Sequence, residues 1–515
     1  MKKKGRRGIA SAVIGSLLLL FGFLCYYAAR WYLSLYGELN FNAVLFTLLS
    51  GLGGLERSIL TSFFRQPLAL CFLTVGMLTL IFGVQSRYRL RLTVCGKAVT
   101  LLPLRPGYFL SCSLVLCCLL TVRAAFIIGL PQWLSSLGSY SNLIQEEYVD
   151  AEDISIQFPE KKRNLIYIFA ESMETTYCST QQGGSMEECL IPELYALAQE
   201  NTSFSDTDQM GGWGIVCGTS WTTAGIVAQA GGLPLLLPFG GASADAMSRP
   251  LASATLLWDI LDREGYYQAV MMGSYKEFSD QVPLMELHGI DDIFDRVSAA
   301  EDGLVPPDYL AWWGIEDVKL FEYAKQKLTR IAAGDQPFQF TLITIDTHMP
   351  QGYICSECPN RYEEQYENVI ACSSAQIGKF ISWLQEQPFY ADTTIILCGD
   401  HLSMAGEYFQ RNSLENQRRR VYNCIINGVA QGKNTKNRVL TPLDMFPTTL
   451  AAMGCQIEGE RLGFGVNLYS DVPTLAERIG LKALNDQLGR STLPYLMRFL
   501  LEPGQGQWLR RLLSQ

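Results

Sequence analysis

The sequence predicts transmembrane helices at the N-terminus, then an α/β domain with a largely parallel sheet covered by helices. Three observations predict it. Long apolar runs are confined to the first 133 of 515 residues. Charge is segregated: residues 1–133 hold 14 Lys/Arg against 2 Asp/Glu and the remainder holds 27 against 48, so a net charge of −9 hides a basic part and an acidic body. Beyond residue 160, short β-branched and apolar runs alternate with helical stretches, the pattern of β-α units. An acidic body without a basic stripe argues against nucleic acid as a partner.

The membrane section is read as residues 1–133. "MKKKGRR" precedes the apolar run "GIASAVIGSLLLLFGFLCYYA", 21 residues long, enough to cross a hydrocarbon core of ~30 Å. It has no small-residue cleavage site and outruns the apolar region of a signal peptide, so it reads as a retained anchor. Runs at 67–84 and 107–130 are the second and third spans, and Arg87, Arg89, Arg91, Lys97 and Arg105 lie between them without an acid. The positive-inside rule sets both basic clusters in the cytoplasm, leaving the chain after the third span outside. "FNAVLFTLLSGLGGLERSIL" (41–60) tempts a fourth span, which would reverse that orientation. Its Gly-rich centre and Glu56-Arg57 pair fit an amphipathic element on the outer surface better. The expected location is a cell membrane, crossed several times, with the large domain extracellular.

Residues 134–160 read as a polar linker ending in a short strand, 161–470 as the main folded domain, and 471–515 as a helical tail to which no chemistry is assigned. Strands are expected at 164–170, 267–273, 338–345, 393–399 and 422–428, with helices through "GIEDVKLFEYAKQKLTRIAAG" and "SSAQIGKFISWLQEQ". Six of the 15 cysteines fall in the membrane section as small apolar fillers. Of the nine others, "CSEC" with Cys372 lacks a second pair or nearby histidines, so disulfides are preferred to zinc, with Cys358–Cys372 and Cys178–Cys189 as the expected pairs.

Ligands of parallel α/β sheets gather beyond the carboxyl ends of the strands. Here the strand ends carry chemistry: Glu171-Ser172 after the first, Asp346-Thr347-His348 after the third, Asp400-His401 after the fourth. A glutamate after a strand is often a helix N-terminal residue, and a lone histidine there is more often structural. Three such ends in one domain favour a shared site, while His288, one of only three histidines, stands apart and reads as structural. Carboxylates with an imidazole suit a divalent ion, with Mn²⁺, Mg²⁺ and Zn²⁺ as the options. Such an ion activates a hydroxyl. Thr219, Ser220, Thr222 and Thr223 end a Gly-rich stretch just before an apolar helical run, where free N–H groups would meet a phosphate; N-capping is the plainer role for any one of them.

These motifs, "NLIYIFAESME", the threonine run ending "GGLPL", "ITIDTHMPQGY", "CGDHLSM" and "LDMFPTTLAAMG", resemble the lipoteichoic acid synthase and phosphoglycerol transferase family of the alkaline phosphatase/sulfatase superfamily. The resemblance covers roughly residues 150–470, and "TTAGIVA" is closest to the phosphoglycerol transferase branch. It implies a sulfatase-like catalytic domain outside the membrane, with Glu171, Asp400 and His401 as metal ligands and Mn²⁺ as the first choice of ion. It implies Thr222 as nucleophile and fourth ligand, His348 as a substrate-phosphate contact, and Trp313 beside the substrate groove. Asp444 of "DMFPT" is expected to support the fold. The family carries a basic residue after the position of Phe278; this chain has Ser279, Asp280 and Gln281 there, and Lys276 is the candidate replacement. The implied donor is phosphatidylglycerol and the implied acceptor a polymer or glycan. A phosphoethanolamine transferase or a sulfatase-like hydrolase is the alternative; no C/S-x-P-x-R motif stands near 217–226 to form a sulfatase's formylglycine.

Overall fold

In the computed structural model, the described residues are 2–36, 57–87, 90–94, 97–101, 106–137, 141–236, 251–275, 281–414, 416–432 and 434–490, with isolated positions 41, 44, 495, 498 and 499. The chain divides into two compact units, one gathering Met1–Phe41 and Leu55–Gln132, the other taking up the chain from Trp133.

Three helices of the first unit are long and apolar enough to cross a membrane: α1 (Lys2–Tyr36), α2 (Ala69–Arg87) and α3 (Pro106–Ile127). Glycines let α1 and α3 approach closely: a Cβ at Gly22 would stand 2.9 Å from the Cys117 Cα, the small-residue contact that membrane helices use where no hydrophobic effect drives association. Leu19, Cys71, Val75, Phe82 and Phe109 form the shared core, and Ser16–Thr79 and Tyr27–Thr74 hydroxyl contacts of 3.1 Å tie α1 to α2. The second apolar span begins at Ile59, earlier than the proline at 67 suggests. A π-turn, Phe64–Leu68, takes Pro67 into the helix, because its wider hydrogen-bond spacing absorbs the missing N–H. The basic segment between α2 and α3 contains an antiparallel hairpin, Leu90–Val94 with Lys97–Leu101. Most of 41–60, with its expected amphipathic element, lies outside the described residues.

The second unit is built on a six-stranded sheet of β1 (Asn164–Ala170), β2 (Tyr267–Met272), β3 (Asp292–Phe294), β4 (Phe338–Ile343), β5 (Thr393–Gly399) and β6 (Asn423–Ile426). The order is β3-β2-β4-β1-β5-β6, parallel throughout except for β6. The inner strands are near-continuous apolar runs because both faces are covered; every residue of β4 and β5 is buried. Covering helices include α4 (Thr222–Gly231), α5 (Asp317–Ile331), α6 (Gln365–Gln385) and α7 (Met445–Ala452). Strand β1 lies between β4 and β5, with Ala170 opposite Gly399 and Phe169 opposite Ile343. That register decides the site: the residues following β1 and β5, Glu171 and Asp400, emerge side by side.

Segment 141–160 is less of a free linker than its polarity suggests. It carries a short helix, Leu143–Glu147, and Glu147 pairs with Arg461 and Arg478. Asp444 supports the fold: its carboxylate accepts from Thr441 N at 2.8 Å and Val466 N at 3.0 Å. His288 is structural, its Nδ1 2.7 Å from Asp259 Oδ2.

Candidate active site and metal centre

At the β1 end, the chain turns sharply. Ser172 takes a left-handed conformation (φ 54°), and its N–H donates to Asp400 Oδ1 at 2.8 Å while its hydroxyl donates to Glu171 Oε1 at 2.5 Å. The His401 N–H donates to the same Asp400 Oδ1 at 2.8 Å. One oxygen of Asp400 is therefore fixed by two backbone donors. The other, Oδ2, is buried with no hydrogen-bond partner and lies 3.2 Å from His401 Nε2.

The histidine is oriented from behind: Nδ1 stands 2.8 Å from the Leu402 carbonyl. A carbonyl only accepts, so Nδ1 carries the proton, and in the neutral ring Nε2 presents a lone pair. That lone pair faces Asp400 Oδ2, Glu171 Oε1 at 3.7 Å and Thr222 Oγ1 at 3.3 Å. Lone pairs cannot converge in a buried space unless a proton or a cation sits among them. Burial, then the Glu171 charge, pushes the Asp400 carboxyl up to about 7. Burial works to lower the pKa of His401, but Asp400 and Glu171 outweigh it and hold it above its ordinary value. One ligand atom each from Glu171, Asp400 and His401 lies within 4.8 Å of the others, all three residues buried. Two carboxylates and an imidazole with the donor atoms turned inward fit a divalent cation.

Thr222 completes the constellation. It is the first residue of α4, and its Oγ1 lies 3.4 Å from Glu171 Oε2 as well as 3.3 Å from His401 Nε2. The neighbouring Thr219 is consumed in its own turn, bonding Val216 O at 2.8 Å and Val216 N at 3.0 Å. Helix α4 is clamped against the β5 end. Buried Gln229 donates to Gly399 O at 3.1 Å and accepts from Tyr167 OH at 3.0 Å, and a Cβ on Gly225 would meet Asp400 O at 2.1 Å. Gly225→Ala is therefore expected to push α4 off the site and cost about 3 kcal/mol, the upper end for overpacking, because the obstructing atom is backbone. Thermal unfolding of the purified protein checks it; an unchanged midpoint would mean that the helix can slide without loss.

Beyond His401, the loop is held by buried Glu174, which receives Arg419 and the Ser403 N–H, while Arg419 also donates to Ser403 O at 2.7 Å. His348 follows β4, lies against Trp313 with ring centroids 4.5 Å apart and planes tilted by 57°, and sets Nδ1 3.2 Å from Met349 O. Burial takes its pKa down to about 4, so at neutral pH it is an uncharged imidazole. Lys276 lies outside the described residues. Sequence reasoning missed three contributors. Asp317 accepts from Ile345 N at 2.8 Å and Asp346 N at 3.2 Å, fixing the turn that carries His348. Gln229 acts through a buried side-chain amide in the middle of an apolar helix, and Ser172 through a left-handed backbone, which leaves no composition signal.

The sulfatase family profile matches residues 163–455, more than half of the chain. The chain belongs to the sulfatase family. Membership in that family fixes the scaffold, not the group transferred. Phosphoglycerol transferase I of Escherichia coli (strain SMS-3-5 / SECEC) is 31% identical over 268 residues, 50% of this chain and 34% of that protein. The match thus spans about a third of that relative's length. Among solved structures, an alkaline phosphatase superfamily protein from Vibrio parahaemolyticus aligns with a TM-score of 0.48 and 19% identity, covering 67% of this chain and 80% of its own. The lipoteichoic acid synthase LtaP from Listeria monocytogenes aligns at 0.48 and 17%, covering 64% and 80%.

The expected disulfides are not formed: the described cysteines are free thiols. Cys178 and Cys189 are neighbours, Sγ to Sγ 3.4 Å. Cys358 and Cys372 instead share a cluster with Cys355, which stands 3.5 and 3.6 Å from them.

Proposed function

We propose that this chain is a membrane-anchored phosphoglycerol transferase. In this reading it takes a glycerol-phosphate group from phosphatidylglycerol, through a Thr222-linked intermediate, to a hydroxyl of a cell-envelope polymer or glycan. The observation that carries the reading is the Thr222 hydroxyl at a helix N-terminus, within 3.4 Å of both Glu171 and His401. The 31% identity to a phosphoglycerol transferase supports the choice of group.

Glu171, Asp400, His401 and Thr222 would hold a divalent ion, with Mn²⁺ first and Mg²⁺ or Zn²⁺ as the other options. A bound divalent ion supplies positive charge that lowers the pKa of a hydroxyl and draws charge from phosphoryl oxygens. Thr222 Oγ1 forms its bond to phosphorus as the bond to the diacylglycerol oxygen breaks. The proton that Thr222 gives up balances the one that diacylglycerol takes. In the second half, the acceptor hydroxyl attacks phosphorus and Thr222 is regenerated. The N–H groups that begin α4 face the phosphate throughout. His348, uncharged and held through Nδ1 by Met349 O, would stand against the substrate phosphate. Trp313 limits where that imidazole can swing, and Lys276 is the cation offered to the headgroup.

Labelled phosphatidylglycerol incubated with the detergent-purified chain and Mn²⁺ is expected to release diacylglycerol. Release from phosphatidylethanolamine alone would replace this reading with phosphoethanolamine transfer, and sulfate release from an aryl sulfate would replace it with hydrolysis. The expected orientation has the N-terminus inside and the large domain outside. Protease added to intact cells should then cut within 150–515; protection of that region in sealed cells would reverse the orientation.

A further inference from the structure

The loop after His348 and the face of α6 bring three sulfurs together. Cys355 Sγ is 3.5 Å from Cys358 Sγ and 3.6 Å from Cys372 Sγ, and one sulfur from each residue lies within 4.8 Å of the others. Cys355 and Cys372 are buried and Cys358 is partly so. An ion bound tetrahedrally at a Zn–S distance of ~2.3 Å sets its sulfurs about 3.8 Å apart. The observed spacings approach that edge.

N–H donors are turned toward the sulfurs. The Cys355 N–H donates to Cys358 Sγ at 3.3 Å, and the backbone amides of Glu357 and Cys358 turn toward the Cys355 sulfur. Gln376, 5% exposed, aims its amide at the cluster: Nε2 is 3.1 Å from Cys372 Sγ and 3.6 Å from Cys355 Sγ, while Oε1 is buried without a partner. Exchanging the two ends of that amide, which are sterically equivalent, turns a carbonyl oxygen toward the Cys355 and Cys372 sulfurs.

We propose that Cys355, Cys358 and Cys372 form a second metal site, a three-thiolate centre for Zn²⁺ with Gln376 at its fourth corner. A disulfide would use two sulfurs, strand the third and need a two-electron oxidant. Zinc uses all three and needs only that three S–H protons leave to solvent. The site is a staple rather than a reaction centre. Its loop bonds back to the turn carrying His348, through Tyr353 N to Asp346 O at 2.7 Å and Gly352 N to His348 O at 3.1 Å, and the ion fastens that loop to α6.

Cobalt tests it, because sulfur ligands alone give an intense near-ultraviolet charge-transfer band; the Glu171-Asp400-His401 site has no sulfur and gives none. The full chain, chelator-stripped in detergent and titrated with Co²⁺, is expected to develop that band to one equivalent per chain. Cys372→Ser should abolish it and Asp400→Ala should retain it. Absence of the band in the unmutated chain, or its persistence in Cys372→Ser, overturns the proposal. So does a disulfide joining two of the three cysteines in an unreduced peptide map. The unmutated band and the map decide the matter even if Cys372→Ser fails to fold.

Discussion

Replacing Thr222 by alanine is expected to reduce diacylglycerol release from phosphatidylglycerol by at least about a thousandfold, the scale on which removing a nucleophile acts. The geometry singles out this hydroxyl. It is 3.3 Å from His401 Nε2 and 3.4 Å from Glu171 Oε2; Thr219 is committed to Val216, and Thr223, 3% exposed, is buried one residue further round α4. Successive helical residues diverge by about 100°, so two adjacent threonines cannot both point at the same phosphorus. Mass spectrometry of substrate-soaked protein should find a phosphoglycerol adduct on the Thr222 peptide. Thr222→Ser, which restores the oxygen, should recover part of the rate. An adduct persisting in Thr222→Ala, or turnover near the unmutated rate, would hand the role to Thr223.

The site's address was legible in the sequence, and its fine structure was not. Strands β1 and β5 fall where their apolar runs end, at Ala170 and Gly399, because a run buried on both faces stops abruptly at the first charge or turn. Once both are parallel neighbours, Glu171 and Asp400 must meet, so the site follows from connectivity. Strand β3, only Asp292–Phe294, is too short to show a period, and its pairing with β2 is a tertiary fact. The helix through Pro67 defied the usual proline rule because a π-turn took it in. Which of four clustered hydroxyls faces the ligands turns on a one-residue choice of helix start, finer than pattern reading resolves. Ser172 has no signature at all: its left-handed backbone exists to aim an N–H at Asp400.

The second large effect concerns the ligands, and the structure dictates which variants are informative. Asp400→Ala removes an acceptor that satisfies two buried N–H groups, those of Ser172 and His401. Each orphaned donor costs about 1–3 kcal/mol, so this variant should lose several kcal/mol and confound binding with folding. Asp400→Asn is cleaner. Its carbonyl oxygen can keep both N–H groups at the Oδ1 position while an NH₂, which has no lone pair to give, stands where Oδ2 faced His401. It should therefore unfold near the unmutated midpoint yet bind its ion at least about a hundredfold more weakly, since even changes behind the ligands cost 10–100-fold. His401→Ala should weaken the ion alike; the ring's rearward hydrogen bond to the Leu402 carbonyl can pass to a water, but the ring is fully buried and its removal also costs packing. Transferase activity should fall with occupancy in both. Metal content is best measured in a Cys372→Ser background, so that an ion on the thiolates is not counted. Unmutated metal content in purified Asp400→Asn and His401→Ala would remove both residues from the ligand set, leaving the inward-facing lone pairs of the site to be satisfied by a proton shared between Asp400 and His401.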